Sequence, residues 1–145
     1  MRFSQFIPVL QVAIGPVILI SGVGMLLLSM TNRFGRVTDR SRTLVEVMKT
    51  AEPAHREAVK RQIQILWRRA RIIRVAISLA AGSALLAALL IIILFLSALL
   101  EWEVVPLIIT VFSACMAAVI GSLGLFLRDV NLSLEALRLE VGMEE

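Results

Sequence analysis

Three long uncharged stretches, a concentration of basic residues between the first and second of them, and a helical spacing of apolar residues inside that basic segment together predict an all-α protein. The expected architecture is a three-span transmembrane helical protein with a cytoplasmic antiparallel helical hairpin continuous with the second span. The chain has 145 residues, of which 59% are hydrophobic. Its mean hydropathy is +0.89. A water-soluble domain of this size is usually roughly 45–50% apolar, so the excess surface needs lipid to cover it. The length suits one domain, read as a single membrane domain over 1–145, and charge is sharply segregated along it.

The first span is read over about 6–30. No charged residue occurs from Phe6 to Met30, and 25 helical residues rise roughly 37 Å, enough to cross a hydrocarbon core of about 30 Å. A secretory signal has a shorter apolar core followed by small residues at a cleavage site. This run is longer and ends in Thr31-Asn32-Arg33-Phe34-Gly35-Arg36, so it reads as retained. Within it, Gly15-Pro16 marks a site where a backbone hydrogen bond is lost and a kink is expected. Gln11 lies close by, and the three residues make a candidate packing hinge, pore mouth or ligand notch.

The segment 31–74 follows. Val37, Leu44 and Met48 recur at sevens and fours, as do Val59, Ile63, Leu66, Ala70 and Ile73, the spacing of two amphipathic helices. Between them Thr50-Ala51-Glu52-Pro53-Ala54 interrupts the pattern, because proline disfavours helix in the residue before it and starts helices well. The second arm runs without a stop signal into the second span, 75–100, so one continuous helix is expected from about Ala54 to Leu100. That span holds fifteen residues of the Leu, Ile, Val and Phe types, each favouring insertion by about 0.3–0.6 kcal/mol. After Glu101-Trp102-Glu103 the third span covers 104–127, with Pro106 in its first turn, where a missing N–H is tolerated.

The tail 128–145 begins at Arg128. Asn131 or Ser133 is a candidate cap for a short separate helix presenting Leu134, Leu137 and Val141, with Glu135 in its first turn. Such a helix would pack on the hairpin, lie on the membrane surface or dock a partner.

Orientation comes from the basic residues. Twelve of the fifteen lysines and arginines fall in 31–74, against Arg2 and the acidic Glu101–Glu103 turn on the opposite side. The positive-inside rule then places the N-terminus outside and the C-terminus in the cytoplasm, with Trp102 in the outer aromatic belt. The same rule accounts for the net charge of +4 without nucleic acid, and none is expected as a partner.

The strings PVILISGVGMLLLSMTNRFGRVTDRSR (16–42), RARIIRVAIS (69–78) and LFLRDVNLSLEALRLE (125–140) resemble a bacterial membrane family known only as domain of unknown function 2721. The junction of Asn32-Arg33, Arg36-Val37 and Asp39-Arg40 is the most specific part of the resemblance. It implies a bacterial inner (plasma) membrane protein and transfers no activity or catalytic residues.

Chemistry is sparse. A hydrolase needs a nucleophile oriented by a base, and a metal needs several converging ligands. His55 stands alone in the hairpin turn and Cys115 inside an apolar run, so no catalytic residue, metal or cofactor is expected. The spans carry no ionisable residue of the kind proton or charge relays use. Small residues, Gly22 and Gly24 in the first span and Ala114, Ala117, Ala118, Gly121 and Ser122 in the third, allow close helix approach within the chain or in a homo-oligomer. The basic cluster Arg33, Arg36, Arg40 and Arg42, with Asp39 among them, and Arg68, Arg69 and Arg71 across the hairpin, suits anionic lipid headgroups. Asp39 is a candidate for ion pairing with Arg36 or Arg42, or with the arginines of the other arm. The functional expectation is a non-enzymatic, self-associating structural or interaction component. The alternatives are a homo-oligomeric channel with an uncharged lining and an adaptor recruiting a cytoplasmic protein through the basic hairpin.

Overall fold

A computed structural model describes residues 3–101 and 103–141, with side chains described for 7–101 and 103–134. Three α-helices account for nearly all of it: α1 (Phe3–Thr50), α2 (Pro53–Leu100) and α3 (Val105–Val141). No strand occurs among the described residues. Each helix contains a stretch long and apolar enough to cross a membrane.

The helix ends follow local chemistry. Glu52 precedes α2, and its carbonyl accepts the Arg56 N–H at 2.9 Å. Pro53 therefore stands at the first helical position, where its missing N–H costs nothing and its fixed φ suits the helix. At the other end of α2, Glu101 adopts φ 53°, the left-handed conformation that closes many helices and that glycine usually supplies. The Val104 carbonyl accepts the Ile108 N–H at 3.1 Å and opens α3. Trp102 lies outside the described residues.

α1 passes unbroken through 31–36, where the single glycine costs about 1 kcal/mol at most. Asn131 and Ser133, candidate caps by sequence, cap no separate tail helix, because α3 continues from Val105 to Val141. A cap is needed only where backbone N–H groups lack carbonyls one turn back, and here the preceding turn supplies them. The side chains of Glu135, Leu137 and Val141 lie outside the described residues.

The chain forms two compact units. The first comprises 1–28 and 78–122, the second 29–77 and 123–145. In the first unit the buried side chains are chiefly small: Ala13, Ala80, Ser83, Ala87, Cys115 and Ser122, with Val23 and Leu90. Helices packed on such residues approach closely, as in membrane bundles. The buried hydroxyl of Ser83 donates to the Ala80 carbonyl at 2.7 Å, and Cys115 Sγ donates to the Ser83 carbonyl at 3.2 Å. In the second unit Met30 and Val37 from α1 are buried with Val59, Ile73 and Ala76 from α2 and Asp129 from α3. The buried positions of all three helices recur at sevens, as in Met30 and Val37, Ala80 and Ala87, Cys115 and Ser122.

Along their apolar stretches the helices turn hydrophobic side chains outward. Of the most hydrophobic window in each helix, only 11, 17 and 17% is buried within the chain. Ile18, Met25, Leu28, Leu85, Leu99 and Ile120 are all more than 60% exposed.

Candidate functional site

A carboxylate buried where three helices meet organises the second unit. Asp129, on α3, is 0% exposed. Arg33 of α1 reaches its Oδ2 through Nη1 at 3.4 Å, and Arg69 of α2 reaches its Oδ1 through Nε at 3.2 Å. The two guanidiniums thus take one oxygen each. Arg33 also lies over the Phe126 ring, 5.3 Å from its centroid, one helical turn before Asp129. An aromatic face beneath a cation adds an attraction of about 0.5–1 kcal/mol or more.

Desolvating a carboxylate is costly, and the cost is recovered only where partners hold good geometry. Here α1 and α2 each supply one partner, so the three helices share a single fixed point. No other acidic or basic residue is buried among those described.

A groove of about 320 Å³ adjoins this clasp, lined by Arg33, Arg36, Val37, Arg40, Leu66, Arg69 and Ser133. Arg33, Arg36 and Arg40 fall on one face of α1 because residues three and four apart stack along a helix. Arg36 and Arg40 are exposed, and Ser133 is half-buried.

The remaining arginines expected at an interface are spread around the unit. Arg71 stacks on Trp67 at 4.8 Å and lines a second groove with Phe34, Thr38, Ser41, Trp67, Ala70 and Arg74. Arg42 lines a shallower one with Ser41, Val45, Glu46 and Lys49. Arg68 is exposed. Asp39 is also exposed, and its carboxylate forms no ion pair among the described residues, with Arg36, Arg42 or the arginines of α2. The paired acid is Asp129 instead. Its signal in the sequence was its isolation: no other acidic residue lies between Glu103 and Glu135, and it sits two residues beyond the last apolar position of the third span.

The small residues divide into two sets. Ser122 is buried and Ala118 half-buried. A side chain on Gly121 would meet Leu79 Cδ1 at 3.4 Å. Gly22, Gly24, Ala114 and Ala117 are exposed, and around Gly22 and Gly24 nothing lies within 4 Å of an added Cβ. Gly15 and Pro16 line a groove of about 340 Å³ with Val12, Leu19, Ala87, Leu90, Phe112, Cys115 and Met116. That groove is mostly apolar, and Gln11, the third residue of the candidate hinge or notch, is exposed and does not line it.

These features define an all-helical protein with three helices apolar enough to span a membrane and a charged clasp within one of its units. The model of the family described as "Protein of unknown function (DUF2721)" matches residues 13–139, and the chain belongs to that family. No curated protein and no solved structure matches the chain.

Proposed function

We propose that the chain is a non-enzymatic integral membrane protein of the bacterial inner membrane that acts as a self-associating interaction component. Its three spans carry the N-terminus outside, and the basic segment 31–74 forms an antiparallel helical hairpin in the cytoplasm with the C-terminal tail. The observation that carries self-association is the set of small residues left uncovered by the chain: Gly22, Gly24, Ala114 and Ala117 are exposed on helices whose apolar faces also point outward. In lipid, where the hydrophobic effect does not drive helices together, close backbone approach at such residues is what holds them.

The mass of the intact particle in nanodiscs, read by native mass spectrometry, tests this. A multiple of the subunit mass is expected, reduced toward one subunit by Gly24→Leu together with Ala117→Leu. A single-subunit mass for the unaltered chain would overturn it. The interaction reading stands ahead of a hydroxyl-lined pore because Ser21, Ser97 and Thr110 each return their proton to a carbonyl of their own helix, at 3.3, 3.2 and 2.8 Å.

A second reading, recruitment of a cytoplasmic protein by the hairpin, is supported by Trp67. This residue is 63% exposed, and tryptophan beside arginine is the composition of an interface anchor. Capture of a partner by the full chain, lost on Trp67→Ala, would favour it; equal capture by the variant would count against it.

A further inference from the structure

The groove beside Asp129 is lined by four arginines, Arg33, Arg36, Arg40 and Arg69, and two of them, Arg33 and Arg69, clasp that fully buried carboxylate. Arg33 spends Nη1 and Arg69 spends Nε on Asp129. Each guanidinium has five N–H donors, so most of the donor capacity on these two side chains is not spent on the clasp. Arg36 and Arg40 form no ion pair among the described residues.

Like charges three and four apart on a helix repel by a few tenths of a kcal/mol per pair. Arg33, Arg36 and Arg40 stack in that way over the groove, an arrangement that a bound anion would relieve. Ser133 adds a hydroxyl. The described hydroxyls of Thr38, Ser41 and Thr43 donate to carbonyls of their own helix; that of Ser133 forms no hydrogen bond among the described residues and lines the groove instead. Val37 and Leu66 supply an apolar wall.

We infer that this groove binds a phosphate-class oxyanion, with Arg36, Arg40 and Ser133 as its direct donors and the Asp129 clasp holding Arg33 and Arg69 in place beside them. Arginine forks match the oxygens of a phosphate, and charge-assisted hydrogen bonds of this kind are about twice as strong as neutral ones. The apolar wall fits a phosphate ester that carries a hydrocarbon portion. The two sources of that chemistry are a phospholipid headgroup and a soluble phosphate. Arg33 lies three residues past the first uncharged stretch, Arg69 six before the second and Asp129 two past the third, which sets the groove at the level of headgroups. The inference rests on the membrane reading for its lipid source only and is independent of self-association.

The test uses the full chain. In phosphatidylcholine nanodiscs doped with phosphatidic acid, native mass spectrometry counts retained anionic lipid; in detergent, inorganic phosphate is titrated against chloride at matched ionic strength. The variant Arg36→Gln with Arg40→Gln is compared with Arg61→Gln with Arg68→Gln, which removes the same charge from exposed positions off the groove. Loss of two charge-assisted contacts is expected to weaken binding about tenfold or more in the first pair, and much less in the second.

Retention of phosphatidic acid that free phosphate does not displace assigns the site to a headgroup. Binding of free phosphate with the same arginine dependence assigns it to a soluble ester. Equal weakening by both pairs, or binding of neither probe, overturns the proposal. Alkaline carbonate extraction of the cell membranes carrying the full chain reports membrane insertion separately, so a failure here is distinguishable from failure of the membrane reading.

Discussion

Asp129 is the residue on which the second unit depends. Its two partners are 30% and 18% exposed at the side chain, so water screens them in part, while the carboxylate itself has no access to solvent. Removing one side of a buried pair is worse than never having built it, because the group left behind keeps its desolvation cost. Asp129→Asn is therefore expected to destabilise the protein toward the lower end of the ~3–5 kcal/mol typical of such losses, read as a fall in the detergent unfolding midpoint. A double-mutant cycle distinguishes the partners: Arg69→Gln and Arg33→Gln should each couple to Asp129→Asn by about 0.5–3 kcal/mol. Additive losses would mean that the contacts contribute nothing to stability. Glu101 presents the opposite case. A left-handed conformation costs an L residue about 1–2 kcal/mol, and glycine's extra chain entropy takes back roughly 0.5–1 kcal/mol. Glu101→Gly is accordingly expected to raise the unfolding temperature slightly, and a lowered one would show that the Glu101 side chain makes up the difference.

Along each helix the burial pattern distinguishes positions that look alike by composition. In α2, Ala76 is 0% exposed and Leu85 is 72% exposed, although both stand in apolar sequence. Ala76→Leu must force atoms into filled space and is expected to cost about 1–3 kcal/mol. Leu85→Ala, on a face the chain does not cover, should stay within roughly 0.5 kcal/mol; thermal unfolding in one detergent compares the two directly. The apolar spacing at Val59, Ile63, Leu66, Ala70 and Ile73 was legible before any coordinates, and so was the start of α2 beside Pro53, because periodicity and proline chemistry are local. Whether the first span and the first arm are one helix is left open by the sequence, and α1 joins them from Phe3 to Thr50. The Asp129 clasp was hidden. Its partners lie 96 and 60 residues away, and spacing along one helix cannot reveal a pairing among three. Asp39 drew attention because it sits among arginines in sequence, yet a residue on an exposed face gains little from neighbours that water already solvates.

Along the whole chain, the charge distribution predicts a sidedness. Under the positive-inside rule the twelve basic residues in 31–74 are expected to stay on the cytoplasmic side, while residues 101–103 include two glutamates and no lysine or arginine. The bias is counted over a loop shorter than about 60 residues, the range within which it sets orientation. Both connections are exposed at Glu52 and Glu103, and each accepts a cysteine without disturbing a buried contact. Cys115 is 1% exposed, and its replacement by alanine leaves those two positions as the only thiols. In intact cells a membrane-impermeant maleimide is then expected to label Glu103→Cys at once and Glu52→Cys only after the membrane is permeabilised. The reverse order would invert the molecule and move the arginine groove to the outer face, where headgroups are less anionic. Labelling of both positions without permeabilisation would mean that the second helix does not cross at all, and with it the three-span reading would fall.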